Sequence, residues 1–309
     1  MRKPLLLIAG LLAAALTQAP AHAAPEDACK ASGVSVDDRL AGCTALIDSQ
    51  RETGRSLAMA YCNRGFALTE KRELDRALAD LEEAIKLDPT YACSFSNRGR
   101  VFAFKGDLER AVADYDTAIK LDPHFAIAYN NRGDAFMKRD DLDKAIADFS
   151  TAIKLDPQNV YAYGNRGWAF QRKRDFNRAL EDYTAAIKLE PNDILGYINR
   201  GNVWRTMQNL DRAAADYGEA IRVAPNDARG WRNRAVIKLM KNDFKGGLAD
   251  YNKAIQFDPK DGISWNNRGI AKRETGDKAG AIADFKKALE LNPELRSARE
   301  SLQKLGVTL

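Results

Sequence analysis

Residues 160–193 read VYAYGNRGWAFQRKRDFNRALEDYTAAIKLEPND, and the chain repeats this statement with variations. The triplet Asn165-Arg166-Gly167 returns every 34 residues, as Asn63-Arg64-Gly65, Asn97-Arg98-Gly99, Asn131-Arg132-Gly133, Asn199-Arg200-Gly201 and Asn267-Arg268-Gly269. The sixth unit carries Asn233-Arg234-Ala235. Pro191 keeps the same step, with Pro89, Pro123, Pro157, Pro225, Pro259 and Pro293. Seven units of 34 residues therefore run from 58 to 295, which is 238 of the 309 residues. A fixed period of this length implies a stacked array, in which each unit buries its apolar face against its neighbours.

Number each unit from 1 at Ala58, Ala92, Ala126, Val160, Ile194, Ala228 and Gly262. Position 4 is always aromatic, position 8 is Gly six times and Ala once, and position 27 is always Ala. Position 20 is Ala except at Gly247, and position 24 is Leu81, Phe149, Phe285 or a Tyr. Positions 4, 8 and 11 share one helical face, and 17, 20, 24 and 27 share another. Small residues at 8 and 20 let two antiparallel helices approach, and the Pro at 32 ends the second helix. At these spacings the aromatic stripes read as core and not as a base-stacking surface. This pattern closely resembles the tetratricopeptide repeat. The resemblance covers about three quarters of the chain and implies an all-α, right-handed superhelical solenoid of seven helix–turn–helix repeats. Arrays of this family typically hold other proteins.

The flanks complete the domain plan. Arg2 and Lys3, the apolar run Leu5–Leu16 and Ala21-His22-Ala23 read as a signal peptide over residues 1–23, with export to a periplasmic or extracellular location. Residues 24–57 read as an N-terminal capping segment, a degenerate half repeat with Ala41, Cys43, Leu46 and Ile47 at helical spacing. Residues 296–309 read as the polar closing helix that the end of an array requires for solubility. The formal charge of +5 falls to +3 without Arg2 and Lys3. That bias is too weak to indicate nucleic acid. No stretch after the leader suits membrane insertion.

Catalysis finds little support. The chain has two histidines, His22 and His124, and His22 leaves with the leader, so no multi-histidine zinc site can form. No Gly-Lys dipeptide occurs, so there is no phosphate-cradling loop. We expect neither an enzyme nor a cofactor or metal site.

Two uniform columns remain. Position 7 is Arg and position 23 is Asp in all seven units. A buried Arg needs a partner, and the antiparallel second helix brings 23 towards 7. Arg166 and Asp182 thus represent a structural ion-pair column; the rival is a basic ladder for acidic ligands. Position 6 is Asn throughout: Asn63, Asn97, Asn131, Asn165, Asn199, Asn233 and Asn267. A carboxamide donates to and accepts from one peptide group at once, so evenly spaced Asn suits an extended backbone. The column resembles the asparagine ladder in the superhelix of O-linked N-acetylglucosamine transferase, whose transferase domain has no counterpart here. The competing reading is that these Asn bond neighbouring helices. Around them, Tyr161, Trp168, Arg205, Arg229 and Arg232 are the groove residues expected to set specificity, for a neutral to acidic protein or peptide. The carboxylate-clamp pattern of chaperone adaptors is not present. A second class of function is a structural assembly factor of the cell envelope, acting through the outer face or self-association.

Four cysteines in an exported chain suggest disulfides, with three possible pairings. Our expectation is Cys29–Cys43 for the segment leading into the cap, and Cys62–Cys93 between adjacent first helices.

Overall fold

In a computed structural model, residues 26–307 are described; the signal-peptide expectation for residues 1–23 lies outside them. The described residues divide into two compact units, 26–101 and 102–307. In the first, α1 (Asp27–Lys30) and α2 (Val36–Asp48) precede the pair α3 (Gly54–Glu70) and α4 (Leu74–Leu87) and most of α5 (Ala92–Phe104). The second holds α6 (Leu108–Leu121) and the pairs α7 (Ala126–Lys138) with α8 (Leu142–Leu155), and α9 (Val160–Arg172) with α10 (Phe176–Leu189). It continues with α11 (Ile194–Thr206) and α12 (Leu210–Val223), α13 (Ala228–Met240) and α14 (Phe244–Phe257), then α15 (Gly262–Glu274) and α16 (Lys278–Leu291), and ends on α17 (Arg296–Lys304). Among the described residues there is no strand, and no helix is long and apolar enough to cross a membrane. The fold is an all-α tandem-repeat solenoid.

The 34-residue period is written into each turn. First helices end where position 15 enters the left-handed region, at Arg72, Gly106, Asp140, Arg174, Gln208, Asn242 and Gly276. The amide of position 16 then donates back to the carbonyl of position 11, as in Asp175 to Phe170 at 2.9 Å. That closure satisfies carbonyls the helix end would leave bare. Position 16 next caps the following helix: the Asp107, Asp141, Asp175 and Asn209 side chains accept from the amide three residues on.

Pairs of helices close on the Gly at position 8. A Cβ on Gly133 would meet the Phe149 ring at 2.7 Å, and one on Gly201 the Tyr217 ring at 2.8 Å. The sixth unit keeps the fit by exchange. Ala235 adds a methyl at position 8, and Gly247 removes one at position 20, where a Cβ would meet Leu239 at 2.1 Å.

Six Arg–Asp pairs each lie within one compact unit and are bidentate. Arg166 Nε and Nη2 donate to Asp182 at 2.9 and 2.7 Å, and the same fork joins Arg64–Asp80, Arg132–Asp148, Arg200–Asp216, Arg234–Asp250 and Arg268–Asp284. Arg98 and Asp114 belong to one repeat but fall in different compact units. Burial pushes the Asp182 carboxyl up, while Arg166 pulls it back down. The Asp182 hydrogen bonds raise Arg166 above its ordinary value, so the pair stays ionised at neutral pH. The third guanidinium nitrogen reaches the preceding repeat: Arg166 donates to Ser150 at 3.0 Å, Arg200 to Thr184 at 3.0 Å and Arg268 to Asn252 at 2.9 Å. Arg166, Arg200 and Arg268 therefore tie their own hairpins together and also tie them to the repeat before.

A second column concerns positions 11 and 19. Arg110 stacks on Phe102, Lys144 on Phe136, Arg178 on Phe170 and Arg212 on Trp204, with the cation 4.3–5.3 Å from the ring centre. In the last two units position 11 is Lys238 or Lys272 and position 19 is Gly246 or Gly280. The lysines turn inward to Asp250 and Asp284 at 2.8 and 3.0 Å. The cation has moved from the second helix to the first, which accounts for two otherwise odd charges at a core-facing position.

Cys29 and Cys43 are joined by a disulfide between α1 and α2, with Cα atoms 4.5 Å apart. The second expected bridge is not formed. Cys62 and Cys93 are free thiols, with the Cys62 sulfur donating to Cys93 over 3.5 Å. Their helices bring the sulfurs into contact but not to the roughly 2.05 Å of a bond.

Candidate binding cleft on the first helices

The Asn column is half-buried at every rung, and it divides into engaged and open members. Position 6 of one repeat faces position 5 of the repeat before. Asn165 Nδ2 donates to Asn130 Oδ1 at 3.3 Å, and Asn97 Nδ2 donates to Cys62 Sγ at 3.2 Å by the same geometry. Asn63 donates to the Cys29 carbonyl at 2.9 Å, and Asn267 accepts from Asn266 at 2.9 Å. A uniformly free ladder is thus not what the chain builds. Asn131, Asn199 and Asn233 make no side-chain hydrogen bond among the described residues. For Asn199 the cause is plain: position 5 of the preceding repeat is Gly164, which has no side chain to offer.

Gly164 also opens space. A Cβ built on it would meet nothing within 4 Å. Around it lies a cleft of about 860 Å³, lined among others by Tyr161, Asn165, Trp168, Leu195 and Asn199. Its floor is Tyr183, fully buried, whose hydroxyl donates to Gln171 at 3.1 Å. Tyr161 is 77% exposed, Trp168 45% and Leu195 48%. Ile127 and Ile263, also at position 2, are exposed by half or more, so large apolar groups recur along this face. Single exposed apolar residues are ordinary; a row of them beside unfilled carboxamides is not. Trp168 is stiffened by Arg172, which stacks on it at 5.4 Å while pairing with Asp140 at 2.6 Å.

The three expected arginines meet in a smaller cleft of about 400 Å³ with Ile198, Asn202, Asn233 and Asn267. They are not equivalent. Arg229 is held by Asp227 through Nη2 at 2.8 Å, which lowers the Asp227 carboxyl and raises Arg229. Arg232 pairs with Asp261 at 3.2 Å. Arg205 has no ion pair among the described residues, so it alone of the three keeps its charge for a ligand.

Tetratricopeptide repeat models match residues 58–91, 96–160, 160–193, 198–262 and 263–295. The chain belongs to the tetratricopeptide repeat family. No curated protein matches it by sequence. Solved repeat structures do resemble it. The Cut9–Hcn1 hetero-tetramer of APC/C aligns with TM-score 0.63 at 17% identity, over 87% of this chain and 52% of the matched one. This chain therefore spans about half the length of that relative. PilF of Pseudomonas aeruginosa aligns at 0.60 and 17% identity, over 69% of this chain and 97% of PilF. YrrB, described as a TPR protein with an unusual peptide-binding site, aligns at 0.50 and 18% identity over 61% of this chain and 97% of its own. At such identities these likenesses show the fold alone. Tetratricopeptide repeats are protein-interaction modules, and this chain is one by family.

Proposed function

We propose that the first-helix face of residues 102–307 holds an extended segment of a partner protein, and that the molecule works as a non-catalytic scaffold. The cleft at Gly164 carries this reading, because it joins an apolar anchor site to carboxamides left without partners. The peptide-binding site attributed to YrrB supports it by showing that a similar fold accepts such a ligand. Each hydrogen bond from Asn199, Asn131 or Asn233 contributes about 1 kcal/mol net. An apolar side chain buried against Tyr161, Trp168 and Leu195 adds roughly 2–3 kcal/mol. Ordering a flexible peptide takes back about 2–5 kcal/mol. Affinity must then come chiefly from the anchor, and the open Asn set backbone register. Arg205 supplies a preference for one acidic side chain two helices along. Export forms part of the proposal, consistent with the leader-like sequence and with the Cys29–Cys43 disulfide.

The experiment is to pan a random dodecapeptide library against the protein and to titrate the enriched peptides. They should share an apolar residue with an acidic one nearby. Gly164→Asn restores the side chain that Asn130 provides one repeat earlier. It should weaken binding by at least about tenfold, or 1.4 kcal/mol, as should Trp168→Ala, with helicity unchanged by circular dichroism. Equal binding by folded variants would remove the cleft from the mechanism and favour assembly through the outer face.

A further inference from the structure

The thiols of Cys62 and Cys93 have no part in the cleft, and their surroundings are unlike those of inert core cysteines. Cys62, at position 5 of α3, is fully buried; Cys93, at position 2 of α5, is partly open to solvent. The Cys62 thiol donates to Cys93 over 3.5 Å. Asn97 Nδ2 donates to both sulfurs, at 3.2 and 3.6 Å. Two donors therefore converge on the accessible sulfur.

We propose that Cys62 and Cys93 are a thiol–disulfide exchange site, in which Cys93 attacks a disulfide of a small thiol or a protein and Cys62 resolves the mixed disulfide. In the first step the Cys93 thiolate bonds to one sulfur of R–S–S–R. The R–S–S–R bond breaks, and one RS⁻ leaves with the electron pair. In the second, Cys62 gives up its proton to the departing thiolate or to water, bonds to Cys93 Sγ and expels the second RS⁻. One external disulfide becomes two thiols, and two protein thiols become one disulfide.

The division of labour follows from the environment. The Cys62 S–H first, then the Tyr91 hydroxyl and the Asn97 amide, hold the Cys93 thiol down to about 7. The hydrogen bond to Cys93 first, and then burial, push Cys62 well above its usual value. A thiolate-rich, accessible sulfur attacks, and a protonated, sheltered one waits. Closing the bridge needs the sulfurs to approach from 3.5 Å to roughly 2.05 Å. Disulfide sulfur accepts a hydrogen bond less well than a thiolate, so oxidation also loosens Asn97, the rung at this end of the column.

The test is to mix the reduced full-length protein with glutathione disulfide and to map cysteines by mass spectrometry after acid quenching. The native chain should close the Cys62–Cys93 bridge. Cys62→Ser should stop at a glutathione adduct on Cys93, whereas Cys93→Ser should leave Cys62 unmodified. Alkylation of Cys93 should run about tenfold faster at pH 7 than that of an ordinary thiol and inflect near that pH. Thermal melts of both variants check that the fold survives. Two results would overturn the proposal: folded protein whose thiols stay unreacted until denaturant is added, or an isolated bridge that glutathione cannot open without denaturant.

Discussion

Replacing Gly164 with alanine should make the protein more stable, and the structure fixes both the sign and the size. Glycine inside a helix costs about 0.8–1 kcal/mol relative to alanine, because its backbone loses more freedom on folding. At Gly133, Gly167, Gly201 and Gly269 that gain is out of reach, since the new methyl would strike a ring. At Gly133 it would lie 2.7 Å from Phe149, which is itself completely buried and has nowhere to go. Overpacking of that kind costs about 1–3 kcal/mol. At Gly164 the methyl meets nothing within 4 Å. Gly164→Ala should therefore gain up to about 1 kcal/mol. For a unit of this size that raises the melting temperature by roughly 2–4 °C. Gly133→Ala should lower it. The assay is a pair of calorimetric or circular-dichroism melts under identical buffer conditions, with urea titrations as a check. A fall in stability for Gly164→Ala, or a rise for Gly133→Ala, would refute the account of why each glycine is present. If the account holds, Gly164 is a residue at which stability has been given up to keep a cleft open.

Asp182→Ala should lower stability by about 3 kcal/mol, since it strands the Arg166 guanidinium beside a methyl in a site where Asp182 was only 5% exposed on its side chain. Arg166 keeps Ser150 and a fifth of its exposure, which argues for the lower end of the range for broken buried pairs. The double change with Arg166→Leu should recover part of that loss in the same melt. The caps give a pH prediction. Hydrogen bonds from the Arg178 side chain first, and then its amide, hold Asp175 below its ordinary value. A depressed carboxyl adds stability that is present above the unfolded value near 3.9 and is lost as pH falls through the folded value. Melting temperature should therefore be flat from about pH 5 to 8 and drop below about pH 4. Asp175→Asn, which mimics Asn209, should shrink that drop in an acid titration.

The repeat frame was legible because a column that never varies across seven copies carries its own proof. Arg166 and Asp182 are 16 residues apart in every unit, and antiparallel helices leave few other partners for a half-buried guanidinium. The carboxamide column was harder to read. Uniform Asn suggested uniform freedom, yet Asn165 and Asn97 turned out to serve their neighbours at position 5. The signal lay in the variable column beside the constant one. Gly164 carries no mark of its own in the repeat pattern, and only three-dimensional packing shows that it strips Asn199 of a partner. The exchange of aromatic and cation for Lys238 and Gly246 was visible in principle. It appears when positions 11 and 19 are read together across units instead of singly. The Cys62–Cys93 contact was foreseen as a pairing; its state as two thiols was not, because spacing says nothing of redox chemistry.

The third arm of each position-7 arginine has a consequence for how the array comes apart. A column of identical clasps would open in no preferred place. From the third repeat to the seventh, one clasp is missing: the residue that should receive Arg234 from the preceding repeat is Gly218, which has no side chain. The seam between the fifth and sixth repeats keeps its Lys241–Asp211 ion pair at 2.5 Å but lacks the buried clasp, so the solenoid carries a built-in weak link. Amide protons in α12 and α13 should exchange together and earlier than those two repeats away. The loosened joint lies where Arg205 of α11 and the open Asn233 of α13 line the smaller cleft. A ligand bridging them would act as a splint, and its arrival would be felt as slowed exchange on both sides of the seam.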